Sequence, residues 1–141
     1  MKRAVVVYQS RTGTTRRFAQ EIGRFLATRG MEPTVASIDE FDPQALGEVD
    51  FLLLGCWTDG LMVVLQHPDE RWLAFARGLP AMKNARAGLF ATYKVATGSM
   101  FAKMREPLAG KISATGLELR SRNGHLSERD KSAIDRFIAG A

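Results

Sequence analysis

Ala4-Val5-Val6-Val7-Tyr8-Gln9-Ser10-Arg11-Thr12-Gly13-Thr14-Thr15 decides how the rest of this 141-residue chain is read. Ala4 to Tyr8 is a β-branched apolar run of strand length, and beyond the polar loop Phe18, Ile22, Phe25 and Leu26 follow the i, i+4, i+7, i+8 spacing of a helix face. A strand, a short loop and a helix in that order bring successive backbone N–H groups and the positive end of the helix dipole to one point, so an anion is expected there. Gly13 permits a close approach of backbone to ligand, and the hydroxyls of Ser10, Thr12, Thr14 and Thr15 can each donate to a phosphate oxygen. A Walker loop needs Gly-Lys-Ser or Gly-Lys-Thr, and the dinucleotide fingerprint needs three spaced glycines. Neither is present, so the loop suits a terminal monophosphate. Helix capping alone would use one hydroxyl, and three or four within six residues exceed it.

Outward from this stretch the same alternation continues. Gly30 ends the first helix, 33–38 reads as a short second strand, and 51–55 is an apolar run without polar alternation, as in a strand covered on both faces. Pro68 is expected at a first helical position, with Asp69 and Glu70 favourable to the dipole and Trp72, Leu73, Ala76 and Leu79 on one side. A fourth strand is expected over 87–93. Ser99 is expected to cap a helix carrying Met100, Phe101, Met104 and Leu108, which Pro107 limits. A fifth strand over 112–119 is interrupted by Gly116, and Ser127 with Asp130 resembles a capping box before Ala133, Ile134, Phe137 and Ile138. Between 36 and 48 only 43–46 suits a helix, of about one turn. Five strands alternating with helices imply an α/β three-layer sandwich on a parallel sheet, in a single domain spanning 1–141. Ligands in such sheets bind beyond the carboxyl ends of the strands, so the loops 9–15, 56–64 and 93–98 are the ones to inspect.

Composition narrows the function classes. With 45% hydrophobic and 25% charged residues the chain has the balance of an ordinary globule, which excludes disordered, collagen-like and coiled-coil classes. The lone Cys56 excludes an internal disulfide and cysteine-pair zinc sites. Only Ala4 to Tyr8 follow the basic start Met1-Lys2-Arg3, too few for a secretory core, and the longest apolar stretch, 51–65, is interrupted and short of a membrane helix, so a cytoplasmic location is expected. The 20 Lys and Arg against 15 Asp and Glu give +5, yet residues 32–70 hold nine acids and neither Lys nor Arg. The basic residues are spread beside Ala, Phe and Leu rather than clustered with exposed aromatics, so solvated helix faces are favoured over nucleic-acid binding.

The stretch from Val6 to Thr15 resembles the phosphate loop of the flavodoxin family, with hydroxyl residues at its first, third and sixth positions and glycine at its fourth. The resemblance runs through Gly116-Leu117 to the final helix, and the 14 residues between Leu119 and Ile134 leave no room for the insertion of long-chain members. It implies a five-stranded sheet of order 2-1-3-4-5 with FMN at the switch point. It also implies an electron-transfer protein working between a reductase and an acceptor protein, with Ser10, Arg11, Thr12, Gly13, Thr14 and Thr15 around the phosphate. Around the ring it implies Trp57, Thr58, Asp59 and Gly60 on one side and Thr92, Tyr93, Lys94 and Gly98 on the other. An indole directly after a buried strand could stack on a planar ring. In members with a similar Trp-Gly-Asp stretch, the peptide after the tryptophan turns over on reduction. Here Thr58 replaces the glycine, and a β-branched residue makes positive φ costly, which leaves Gly60 to take that role. Lys94 beside the ring would favour its negatively charged reduced form. Members are typically acidic, and this chain is basic outside 32–70.

Two other readings use the same residues. One is an FMN-dependent NAD(P)H oxidoreductase acting on quinones or similar small acceptors, with Leu61 to Leu65 as an apolar wall or a weak dimer patch. The other is a flavodoxin-like module that has lost FMN. Cys56 has no marked base, and Met62 stands where a small phosphatase would need arginine, so Cys56 is expected to pack. His67 and His125 lack metal-ligand spacing and are expected in surface or capping roles. Response regulators need an acidic pair after the first strand, where this chain has Gln9-Ser10.

Overall fold

The strands β1 (Arg3–Gln9), β2 (Glu32–Ser37), β3 (Phe51–Trp57), β6 (Arg86–Thr92) and β7 (Thr115–Ser121) form a parallel sheet in the order β2-β1-β3-β6-β7. A separate antiparallel hairpin, β4 (Asp59–Leu61) and β5 (Val64–His67), lies between β3 and the second helix. The helices are α1 (Thr14–Thr28), α2 (Glu70–Arg77), α3 (Met100–Arg105) and α4 (Glu128–Ala139). This computed structural model describes residues 2–61, 64–82, 84–94, 97–112 and 115–140, with side-chain placement described for all of these except 45, 59–61, 64 and 65.

The central strands are buried on both faces, and their period-two alternation sorts side chains into two cores. Ala4, Val6 and Tyr8 of β1 face Phe18, Ile22, Leu26, Ile134 and Phe137, so α1 and α4 cover one face. Val5, Val7, Leu52 and Leu54 face Trp72, Ala76, Met100 and Met104, so α2 and α3 cover the other. At its end α1 turns out through a Schellman pair, Gly30 N–H to Ala27 O (3.1 Å) and Met31 N–H to Leu26 O (3.3 Å). The capping box of α4 is complete: Asp130 N–H donates to Ser127 Oγ and Ser127 N–H to the Asp130 carboxylate.

Counting the strands of the main sheet alone, the order is the expected 2-1-3-4-5. Several boundaries differ. Pro68 precedes the N-cap rather than opening α2, because the Asp69 carboxylate accepts from Arg71 N–H and takes the capping position. Ser99 stands at the N-cap of α3, but its hydroxyl donates to Gln66 O and caps nothing. The fifth strand starts at Thr115, while Ile112 makes only an isolated bridge to Ala109. Gly116 marks a register shift, with Ala87 opposite Thr115 and Gly88 opposite Leu117. The third strand runs on to Trp57, and most of the expected loop after it is the β4–β5 hairpin. The fourth ends at Thr92, leaving Tyr93 just outside it. Pro43–Ala45 forms one 3₁₀ turn.

Candidate functional site

Four residues, Ser10 to Gly13, separate β1 from α1, and Gly13 makes the turn possible. Its φ of 96° lies in the left-handed region that costs other residues about 1–2 kcal/mol. The Gly13 amide donates to Ser10 Oγ (3.0 Å), which closes the turn on itself. The first intrahelical bond runs from Arg17 N–H to Gly13 O (3.0 Å), so the amides of Thr14, Thr15 and Arg16 precede the helical ladder. No side chain caps them and no carboxylate stands in the first turn. Helix capping therefore does not account for the hydroxyls of this loop.

Arg16 and Arg17 stand in that first turn, where the positive end of the dipole disfavours cations. The arrangement costs stability in the bare helix and favours a dianion in front of it. This signal lies in the sequence, in Thr14-Thr15-Arg16-Arg17, and hydroxyl spacing alone misses it.

The candidate hydroxyls divide by position. Ser10, Thr12 and Thr14 lie on the open side of the turn, with Arg11 and Gly13 exposed beside them. Thr15 points inward, buried, and its hydroxyl shares a 2.6 Å hydrogen bond with that of Thr92 at the end of β6. One proton serves that bond, so the pair retains one to give elsewhere.

Two tethers hold the turn in place. Gln9 Nε2 donates to the Asp69 carboxylate (2.8 Å) at the start of α2, while Cys56 Sγ donates to Gln9 Oε1 (3.4 Å). Cys56 is fully buried in the core, as expected of a packing residue. From the other side the β7–α4 turn presses on the start of α1. Gly124, at φ 79°, sits where a Cβ would lie 2.5 Å from Thr14 O, and Arg17 Nη1 donates to Asn123 O (2.7 Å). Glu21 fastens the same turn by accepting from Leu126 N–H (2.9 Å) and pairing with His125 Nδ1 (2.8 Å). Burial pulls the Glu21 carboxyl upward, but the Leu126 amide, His125 and Arg24 outweigh it and hold the group below the usual carboxylate range. His67 Nδ1 lies 2.9 Å from Pro68 O.

The aromatic candidates lie in one row along the carboxyl edge of the sheet. Register pairs Gln9 with Cys56, Trp57 with Thr92, and Thr92 with Ser121, so Trp57 is level with Thr92 and Ser121, and Tyr93 and Arg122 each follow one residue beyond that level. Trp57 and Tyr93 are both partly buried. The Arg11 guanidinium lies 5.1 Å from the Trp57 ring and that of Arg122 lies 5.6 Å from the Tyr93 ring. Neither arginine partnership is readable from periodicity, because the partners are distant in sequence.

Thr58 N–H donates to Thr92 O (2.9 Å), which ties the backbone after Trp57 into the sheet, and the Thr58 hydroxyl is buried without a hydrogen-bond partner among the described residues. Asp59 pairs with His67 in the hairpin, and Gly60 falls at the irregularity before the Leu61–Val64 pair. Lys94 is exposed, and Gly98 packs on the buried Gln66 side chain. Residues 62 and 63 of the expected apolar wall and 95 and 96 of the third loop lie outside the described residues, and the side chains of 61, 64 and 65 are likewise not described. Among the described residues no helix is long and apolar enough to cross a membrane.

Comparison with known proteins agrees with this construction. A family model described as Flavodoxin matches residues 6–139. The sulfite reductase [NADPH] flavoprotein alpha-component of Bacillus subtilis is 29% identical over 121 residues, which cover 78% of this chain and 19% of that protein. The chain thus spans about a fifth of the length of that relative. Oxidised flavodoxin 1 of Bacillus cereus superposes with a TM-score of 0.75 at 19% identity, covering 99% of each chain. The two-electron reduced flavodoxin of Megasphaera elsdenii gives 0.77 at 17% identity, covering 98% of this chain and 99% of that one. These two share the fold. With the match extending from β1 through α4, the chain belongs to the flavodoxin family of FMN-binding electron-transfer proteins.

Proposed function

We propose that the chain carries electrons between redox proteins, with the turn from β1 to α1 seating the phosphate of FMN. The observation that carries this reading is the uncapped start of α1, where three amides precede the helical ladder and the first turn holds Arg16 and Arg17 but no carboxylate. FMN suits what these residues offer. Its phosphate is a dianion, the Thr58 hydroxyl, which has no partner among the described residues, needs a polar neighbour, and Trp57 and Tyr93 are only partly buried. When bound, the flavin supplies one- and two-electron transfer.

The chain's own residues bind and orient. Ser10, Thr12 and Thr14 would donate to phosphate oxygens, and the Thr15–Thr92 pair would give its remaining proton. Gly13 would let the backbone approach, and Arg11, Arg16 and Arg17 would add charge at the same end. Trp57 and Tyr93 would exclude water from the ring faces. Thr58, Asp59 and Gly60 would line one ring edge, and Lys94 and Gly98 the other. A cation at Lys94 would favour the reduced, more negative state. A monomer or weak dimer in the cytoplasm, acting as one domain and without nucleic acid or membrane contact, completes the reading.

The test is a visible absorption spectrum of the purified protein followed by titration with FMN. The expected result is a bound yellow chromophore with quenched flavin fluorescence. Unchanged fluorescence at saturating protein would overturn the reading.

A further inference from the structure

The charge of this chain is divided across the sheet. Residues 32–70 hold nine of the 15 acids and neither Lys nor Arg, and they include β2, which is one edge of the sheet. At the carboxyl end of that edge, Asp39 is paired with Arg71, and Glu40 accepts from Ser37 N–H. The opposite half of the same end, over β6 and β7, is basic.

Lys94, Arg120 and Arg122 are exposed there, Arg11 joins them from the turn after β1 by resting on Trp57 at the end of β3, and among the described residues none of the four has a carboxylate within ion-pair distance. Three of the four are held over aromatic rings: Arg11 on Trp57, Arg122 on Tyr93, and Arg120 on Phe101 at 5.2 Å. Arg120 is further fixed by donating to Thr97 Oγ1 (3.2 Å). A guanidinium resting on a ring is already ordered, so pairing with an incoming carboxylate costs less side-chain entropy than it would for a free surface arginine.

We propose that this basic rim over β6 and β7 is the docking surface for an acidic redox protein, which presents carboxylates to Arg11, Lys94, Arg120 and Arg122. The proposal rests on the electron-carrier reading, since the rim borders Trp57 and Tyr93. The acidic edge at β2 sets the orientation, because an acidic partner is drawn to one half of the end and repelled from the other.

Two probes that differ only in charge test it: native cytochrome c, which is basic, and the same protein with its lysines succinylated, which is acidic. FMN loading is confirmed first by flavin fluorescence, so failure to bind flavin is read separately from failure to dock. Each fully reduced flavin then passes two electrons, one to each of two ferric haems. At low ionic strength the succinylated probe is expected to react about tenfold faster or more, and the advantage to vanish near 0.5 M salt.

The double variant R120E/R122E is expected to slow the acidic probe about tenfold and speed the basic one while leaving flavin binding intact. R120Q/R122Q should give a smaller change in the same direction and serves if the reversed variant does not fold. Calorimetry of the flavin-free protein with the succinylated probe gives a readout independent of electron flow and should show the same salt dependence. Faster reaction with native cytochrome c, rates independent of salt, or no effect of either double variant would overturn the proposal. So would a 20-base-pair DNA duplex that displaces the acidic probe and binds more tightly, because the rim would then belong to nucleic acid.

Discussion

The turn from β1 into α1 and the connection from β3 to α2 leave neighbouring strands at the same edge of the sheet, but different forces shape them. The first is four residues, held by local rules: a left-handed glycine, a hydroxyl bonded to the amide three residues on, and a helix start left uncapped. The second spans residues 58–69 and builds a hairpin, with Thr58 tied to Thr92 on another strand and Asp69 tied to Gln9. An anion seat can be made by local chain geometry alone. A seat for a flat ring needs side chains from strands distant in sequence, so it depends on the assembled sheet.

The sharpest way to break this contrast is to disarm the local seat. S10A/T12A removes two hydroxyls and leaves the Gly13 amide without its acceptor, and each lost bond to a charged group is worth about 1.5–3 kcal/mol. FMN affinity by fluorescence titration should fall by roughly 100-fold or more with the far-UV circular dichroism unchanged. A loss under about threefold would mean the turn does not hold the phosphate.

G124A comes next. A methyl group there meets Thr14 O and must hold a left-handed φ, so chemical denaturation should show a loss of about 2–3 kcal/mol. A neutral result would show that the β7–α4 turn does not press on the start of α1. W57A touches the assembled seat. Loss of stacking and burial should weaken FMN by about tenfold, a smaller effect than the phosphate variant, and partly restore flavin fluorescence. A larger effect at Trp57 than at Ser10 and Thr12 would reverse the ranking of the two regions.

The smallest expected effect concerns the clamp behind the turn. Because the Glu21 carboxyl is held below its ordinary value of about 4.5, its contribution is present above that unfolded value and is lost as pH falls through the lower folded one. E21Q should therefore cost about 1 kcal/mol or less at pH 7, and the difference from the parent should shrink as pH falls below the ordinary carboxylate range, as followed by urea melts. A difference independent of pH would place the effect in packing rather than charge.

How much was readable follows the same division. The apolar spacing of Phe18, Ile22, Phe25 and Leu26 identified the buried face of α1, and all four are in the core. Ser127 with Asp130 identified the start of α4, because both signals are local. The uninterrupted apolar run at 51–54 identified a central strand. The hairpin was hidden, since Gly60 irregularly spaces its pairing and strand alternation is lost in so short a stretch. Pro68 misplaced the start of α2 by two residues because Asp69 offers a better cap. Thr15 looked like its neighbours in sequence, yet helical rotation turns it inward to Thr92 while Thr14 stays at the rim. The tethers of Gln9 and the arginine stacks on Trp57 and Tyr93 exist only once distant strands are paired.

Parallel titrations with FMN and with riboflavin, which has the same ring and no phosphate, test the central claim most directly. If the start of α1 is the anion seat, FMN should bind at least about 100-fold more tightly than riboflavin at low salt, and the ratio should collapse in S10A/T12A. Equal affinity for the two flavins would contradict the account.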